Sequence, residues 1–287
     1  MKYGAHIFLW TERWSNNEIS LIGRAKSLGL DCLEIAVGDD VEFDSQFIKK
    51  EFQKQSVDLF ISPGGTWPME ADISLADKNM ARGGVEWHKR WMEKGAEAGA
   101  LAYTGAIYGH PGNVVKSAPD PDEYKRICEH LHALAEFGRQ HGIKLVLEPM
   151  SHFRTHLANT GKQLISLIEG ADHGNLYCLL DTYHMVTEVR DFGREILLMK
   201  DKLYSVHACE NDRGVPGGGI IPWDEIGNAL SSSGFDKFII LESYNSSVRE
   251  GNFAFERGMF HNVCPDGDDF VRKGIHFLKS KLMMRHL

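Results

Sequence analysis

Eight short apolar runs recur along this chain, each followed by a longer stretch of mixed polarity, and this rhythm limits the available folds more than any other feature. The runs read as strands are 4–10 (GAHIFLW), 32–37 (CLEIAV), 57–62 (VDLFIS), 101–108 (LAYTGAIY), 143–148 (IKLVLE), 176–181 (LYCLLD), 202–207 (KLYSVH) and 237–242 (KFIILE). Between them, 17–29, 83–99 and 122–142 carry apolar residues at helical spacing. Gly29, Gly99, Gly142 and Gly234 stand where helix C-terminal caps belong, just ahead of the next strand. Strands that are apolar almost throughout are buried on both faces, as in a parallel sheet covered by helices. Eight such units in 287 residues predict a single-domain α/β protein, a (β/α)8 TIM barrel spanning 1–287. An open dinucleotide-binding sheet should instead carry GxGxxG between a strand and a helix. The Gly-rich tract GVPGGGI (214–220) lacks that spacing. The connections 63–82, 109–121 and 243–268 are rich in Gly, Pro, Ser, Asn and Asp, and are expected to roof the barrel.

Charge and cysteine content narrow the partners. A net charge of −8 argues against a nucleic-acid binder, which needs a basic face. No apolar run approaches the roughly 18 residues of a membrane span, and no signal peptide is recognised. The five cysteines are dispersed without a CxxC pair, as expected for free thiols in a reducing compartment. The expectation is a cytoplasmic protein acting on a small molecule.

The ends of strands five to eight read Glu148, Asp181, His207 and Glu242. Strand C-termini form the floor of the active site in a barrel, so these four side chains would converge on one point. One acid at a strand end is ordinarily a loop-facing residue. Three converging carboxylates would each raise the others' pKa, and a divalent metal removes that conflict. The mostly oxygen donor set suits Mn2+, Co2+ or Mg2+ better than a structural zinc. His184 follows Asp181 by three residues and Arg213 follows His207 by six; both could reach a ligand there, or serve as a helix cap and a solvated cation. Phe8, Trp10 and Trp14, and on the roof Trp67, Tyr108 and His110, could line a ligand pocket or simply pack. Glu34, inside an apolar strand, needs a buried partner.

The segments LEPMSHF, LLDTYHM, VHACENDRGVPGGGIIPWDEI and ILES resemble the sugar isomerase/epimerase superfamily of metal-dependent (β/α)8 barrels. They are most similar to its ketose 3-epimerase branch, typified by D-tagatose and D-psicose 3-epimerases. The resemblance implies one divalent ion, Mn2+ or else Co2+ or Mg2+, held by Glu148, Asp181, His207 and Glu242. It implies that Glu148 and Glu242 are the acid/base pair that inverts the carbon beside a ketose carbonyl through a cis-enediolate. It also implies that His184 and Arg213 hold the sugar's oxygens; apart from the resemblance, Trp10, His110 and Arg154 are read as candidate further substrate contacts. Homodimers or homotetramers are common in that branch.

The chain departs from the branch after Glu148. Where relatives carry Asn, Arg, an aromatic residue and a second Glu that binds the sugar's first carbons, this chain reads Ser151, His152, Phe153 and Arg154. Three readings of Arg154 follow: it turns outward, it meets a negatively charged substrate, or it pairs internally with Glu210 or Asp212. His152 and His156 add titratable groups that would favour elimination. A lyase or dehydratase acting on a keto-sugar, keto-inositol or sugar acid through the same enolate is therefore the alternative activity. An endonuclease acting on abasic DNA would need a multi-zinc cluster and a basic surface. A non-catalytic sugar-binding barrel would not need both glutamates.

Overall fold

The computed structural model describes residues 1–245, 258–259 and 261–282. Eight parallel strands close into a barrel: β1 (Lys2–His6), β2 (Cys32–Val37), β3 (Asp58–Pro63), β4 (Ala100–Gly105), β5 (Lys144–Leu147), β6 (Leu176–Asp181), β7 (Leu203–Ala208) and β8 (Phe238–Leu241). Closure is made by β1 against β8, with Lys2 opposite Phe238 and Ala5 opposite Leu241. The described helices outside the barrel are α1 (Ser20–Ser27), α2 (Ser45–Gln55), α3 (Lys78–Glu97), α4 (Pro121–His141), α5 (Gly161–Ala171), α6 (Thr182–Glu188), α7 (Phe192–Met199), α8 (Trp223–Ser232) and α9 (Gly267–Leu282). The predicted barrel is the observed one. No described helix is long and apolar enough to cross a membrane.

Alternation along each strand separates two environments. The barrel interior is plugged by Cys32, Phe60, Ala102, Val146, Leu179, Tyr204, Phe238 and Ile240. Side chains two residues apart on a strand share a face. The next inward position after Cys32, Phe60, Ala102, Val146, Leu179 and Ile240 is therefore Glu34, Ser62, Thr104, Glu148, Asp181 and Glu242, a polar layer directly above the apolar plug. On β7 the register against β6 shifts between Cys178 and Leu179, skipping Tyr204, and Ser205 then brings His207 opposite Asp181. Gly4 on β1 is required by closeness, since a Cβ there would meet the Cys32 Sγ at 2.1 Å and its carbonyl oxygen at 2.8 Å.

Several boundaries differ from the sequence reading, each for a local reason. Strand one stops at His6 because its Nδ1 accepts the Phe8 N–H, capping a 3-10 turn over Ile7–Leu9. Helix α3 begins at Lys78, five residues before the predicted 83, because Asp77 Oδ1 accepts the N–H groups of Asn79 and Met80. The first roof loop accordingly ends at 77. Within the predicted roof segment 243–268, residues 246–257 and 260 lie outside the described residues, and α9 already begins at Gly267. All four predicted glycine caps adopt the left-handed conformation, at φ 80° (Gly29), 85° (Gly99), 74° (Gly142) and 69° (Gly234).

Candidate metal centre and active site

Glu148, Asp181, His207 and Glu242 meet at the C-terminal mouth of the barrel, each offering one ligating atom within 4.8 Å of the others'. All four side chains are buried. The fit to a metal can be tested on the atoms themselves. His207 Nδ1 is buried and has no hydrogen-bond partner among the described residues. It nonetheless lies 3.1 Å from Glu242 Oε2 and 3.8 Å from Glu148 Oε1. A buried ring nitrogen aimed at carboxylates it does not hydrogen-bond is what a metal-ligand set looks like, and the donor types suit a hard divalent ion.

The other ring nitrogen is spoken for. His207 Nε2 lies 3.0 Å from Glu34 Oε2, and Glu34 Oε1 accepts the Thr104 hydroxyl at 2.6 Å. The partner that Glu34 needs is therefore His207, across the barrel. This carboxylate orients the imidazole and leaves Nδ1 free to ligate. Burial works against a charged His207, but the Glu34 and Glu242 carboxylates overcome it and hold its pKa well above the ordinary histidine value.

Arg213 ties the ligands together from the β7 loop. Its Nη1 donates to Asp181 Oδ2 at 2.6 Å and Glu242 Oε2 at 3.0 Å, and its Nη2 lies 3.3 Å from His184 Nε2. The guanidinium carbon lies 4.3 Å from the centre of the Tyr183 ring and 5.6 Å from that of Tyr244. The residue pays for this reach with a left-handed backbone, φ 67°, which costs an L side chain roughly 1–2 kcal/mol. Glu210 steadies the loop: its carboxylate accepts the N–H groups of Gly217 (2.6 Å) and Ile221 (3.1 Å) and the Trp223 indole (2.7 Å). Burial would raise the pKa of Glu242, yet Arg213 and His207 hold it well below the usual carboxylate range. Asp181 goes the other way: burial raises it to about 7, an effect that Arg213 opposes and that the Glu242 and Glu148 charges reinforce. Burial and the Arg213 charge keep His184 neutral, and its Nδ1 lies 2.8 Å from the Ser151 hydroxyl.

Two adjoining cavities open onto this centre, of about 100 Å³ and about 210 Å³, and share Glu148, Met150, Arg154, Glu242 and Tyr244 as walls. His184 and Arg213 line the larger one. Trp10 and His110 are not among the residues lining either cavity. The Trp10 indole donates to Asp268 at 2.9 Å, and His110 Nε2 lies 2.8 Å from the Trp67 carbonyl. Arg154 is not paired with Glu210 or Asp212, whose carboxylates are engaged by backbone N–H groups and, for Glu210, the Trp223 indole. His152 faces Glu188 and His156 faces Glu123, both off the cavity wall. Sequence reasoning missed Ser151 and the two tyrosines around Arg213. Tyr183 and Tyr244 were visible only as neighbours of His184 and Glu242.

A closed parallel barrel with a buried Glu–Asp–His–Glu set at its mouth defines a TIM barrel with a candidate metal centre. The chain belongs to the xylose isomerase-like TIM barrel family, whose model matches residues 22–281. A ketose 3-epimerase from Arthrobacter globiformis is 28% identical over 286 residues, covering 98% of this chain and 97% of that protein. An L-ribulose 3-epimerase from Mesorhizobium japonicum is 28% identical over 266 residues, covering 92% and 89% respectively. A solved L-ribulose 3-epimerase structure superposes with a TM-score of 0.91 at 27% identity, over 98% of this chain and 94% of that one.

Proposed function

We propose that this protein is a metal-dependent epimerase of a ketose or keto-sugar derivative, inverting a carbon next to the carbonyl. The observation that carries this reading is the convergence of Glu148, Asp181, His207 and Glu242 within 4.8 Å, in a chain whose relatives are named ketose 3-epimerases.

The four residues would hold one divalent ion, Mn2+ by preference or else Co2+ or Mg2+, which when bound would supply Lewis-acid polarisation of the substrate carbonyl. The remaining work falls to the chain. Glu148 and Glu242 reach the centre from β5 and β8, so the substrate carbon can be approached by one carboxylate on each face. One removes the proton and the other returns one to the opposite face, a task that a single base cannot perform. Arg213 keeps Glu242 ionised and lies, with neutral His184, where negative charge develops on the enediolate oxygens. Apolar and aromatic wall residues such as Phe8, Met150 and Tyr244 restrict water around the intermediate.

The lyase reading gains no support from the extra histidines, because His152 and His156 face Glu188 and Glu123 rather than the cavities. The test is deuterium uptake: the Mn2+-loaded protein in D2O with ketohexoses and ketopentoses, followed by NMR. Exchange beside the carbonyl together with inversion is the expected result. Metal binding without exchange in any keto sugar would sink the reading.

A further inference from the structure

We propose that Arg154 selects the substrate, and that this substrate is an anionic keto sugar with a carboxylate or phosphate beside its carbonyl. The inference rests on the epimerase reading above and names the class of molecule the site takes.

Position is the first argument. Arg154 is half-buried and is one of five residues lining both cavities, together with the two glutamates of the acid/base pair. A ligand that occupies either cavity meets it.

The second argument is that its backbone is tied down while its charge has no partner among the described residues. The Arg154 N–H donates to the Ser151 carbonyl at 2.8 Å, and its own carbonyl accepts the Gly112 N–H at 2.8 Å. The loop around it is tied across by Asn159 Nδ2, which donates to the carbonyls of Met150 (2.7 Å) and Thr155 (2.9 Å). Tyr108 adds a hydroxyl shared between the carbonyls of Glu148 and Ala158, at 2.8 and 3.0 Å. These bonds hold the backbone on both sides of Arg154, yet the guanidinium has no hydrogen bond or ion pair with any described residue. Among the described residues, then, the guanidinium is left open to a ligand in the cavities it lines.

Chemistry supplies the third. A guanidinium offers five N–H donors and no acceptor, in a planar fork that matches carboxylate or phosphate. Closing a ligand over it strips water from a cation, which is unfavourable unless the ligand brings compensating charge. Arg213, by contrast, already meets Asp181 and Glu242 through its Nη1, so its charge is answered within the chain. Glu148 and Glu242 line the same two cavities, so an anion held by Arg154 lies close to the carbon they act on.

The experiment uses three probes that differ only at the first carbon: D-fructose, 2-keto-D-gluconate and D-fructose 1-phosphate. Deuterium exchange by the Mn2+-loaded protein would be followed for each, with wild type, Arg154→Gln and Arg154→Lys, and calorimetric binding of each probe would be measured alongside. A charge-assisted pair predicts an anionic-to-neutral preference that falls by about 10- to 150-fold in Arg154→Gln, with Arg154→Lys in between. The probe that gains more separates a carboxylate from a phosphate ester. Exchange in D-fructose with a ratio that Arg154→Gln leaves unchanged would overturn the inference while leaving the epimerase reading intact. If no probe exchanges, the epimerase reading fails, and calorimetry alone decides. Anion binding weakened in Arg154→Gln supports the inference, and equal binding in both proteins overturns it.

Discussion

The two halves of the barrel rim do different work. Strands β5 to β8 end in Glu148, Asp181, His207 and Glu242, the groups fit to ligate a metal and to move protons. Strands β1 to β4 raise His6, Glu34, Ser62 and Thr104 at the same level, and these side chains mostly bond to each other. His6 Nε2 lies 3.3 Å from the Ser62 hydroxyl, and Thr104 donates to Glu34. Among these described rim side chains, the contact that crosses between the halves runs from Glu34 to His207. The first half is thus a brace and the second the reactive edge, joined through an imidazole whose far nitrogen faces the carboxylates. The division explains how three acids can be buried together. Their repulsion is met on the reactive side by Arg213, and on the bracing side by a carboxylate that fixes the ring facing them.

The comparison breaks most visibly on the reactive side. Glu148→Gln or Glu242→Gln removes one of the two acid/base carboxylates, and inversion should slow by about 100- to 10,000-fold. Metal affinity measured in parallel separates lost ligation from lost proton transfer. Full activity in either variant would show that the reactive edge has been misassigned.

Glu34→Gln tests the brace. Gln keeps the shape and the contact to Thr104 but withdraws the negative charge from His207 Nε2. Metal affinity should fall by about 10- to 100-fold, the usual consequence of losing the group that orients a ligating histidine. Excess Mn2+ should then restore most of the activity, which no amount of metal would do for Glu242→Gln. A Glu34→Gln protein that binds metal like wild type would reduce the brace to plain packing.

A third expectation concerns protons. Without metal, His207 titrates well above the ordinary histidine value and Asp181 above the ordinary aspartate value. Both must lose protons to ligate, whereas Glu242, held low by Arg213 and His207, is already ionised. Metal affinity should therefore rise with pH, by about tenfold per pH unit for each proton displaced, up to the raised His207 pKa. Calorimetry in buffers of different ionisation enthalpy counts those protons. No proton release at neutral pH would contradict the charge pairing described for His207.

The reactive half was far more legible in the sequence than the brace. Each ligand is the polar residue that closes an apolar run, and period-two alternation places it above the barrel plug, so strand and role are read together. Glu34 announced itself only as an anomaly, a charge inside an apolar strand. Its partner lies 173 residues away, and no local pattern encodes that distance. Trp10 shows the opposite failure. An aromatic residue at a strand end could pack or stack, and the deciding contact, Asp268, is 258 residues downstream. The roles of Ser151 and Glu210 gave no signal, because a serine that touches a histidine and an acid that gathers backbone N–H groups look like ordinary loop residues. Boundaries moved where a side chain capped early, as with Asp77 and His6.

The smallest effect should come from Tyr108, which bridges the two halves from the loop after β4. Its buried hydroxyl is shared between the carbonyls of Glu148 and Ala158. Tyr108→Phe leaves both oxygens without that donor, and stability should drop by about 1–3 kcal/mol in denaturant unfolding. The ring still fills its place, so no cavity opens and the barrel should survive. If the hydroxyl only stabilises, kcat and KM should stay near wild type while the unfolding midpoint falls. If it also sets the height of Glu148 above the plug, kcat should fall with KM nearly unchanged, because the lost geometry matters in the proton transfer and not in holding the sugar. The second outcome would extend the brace beyond strands β1 to β4 and into the loop that carries Tyr108.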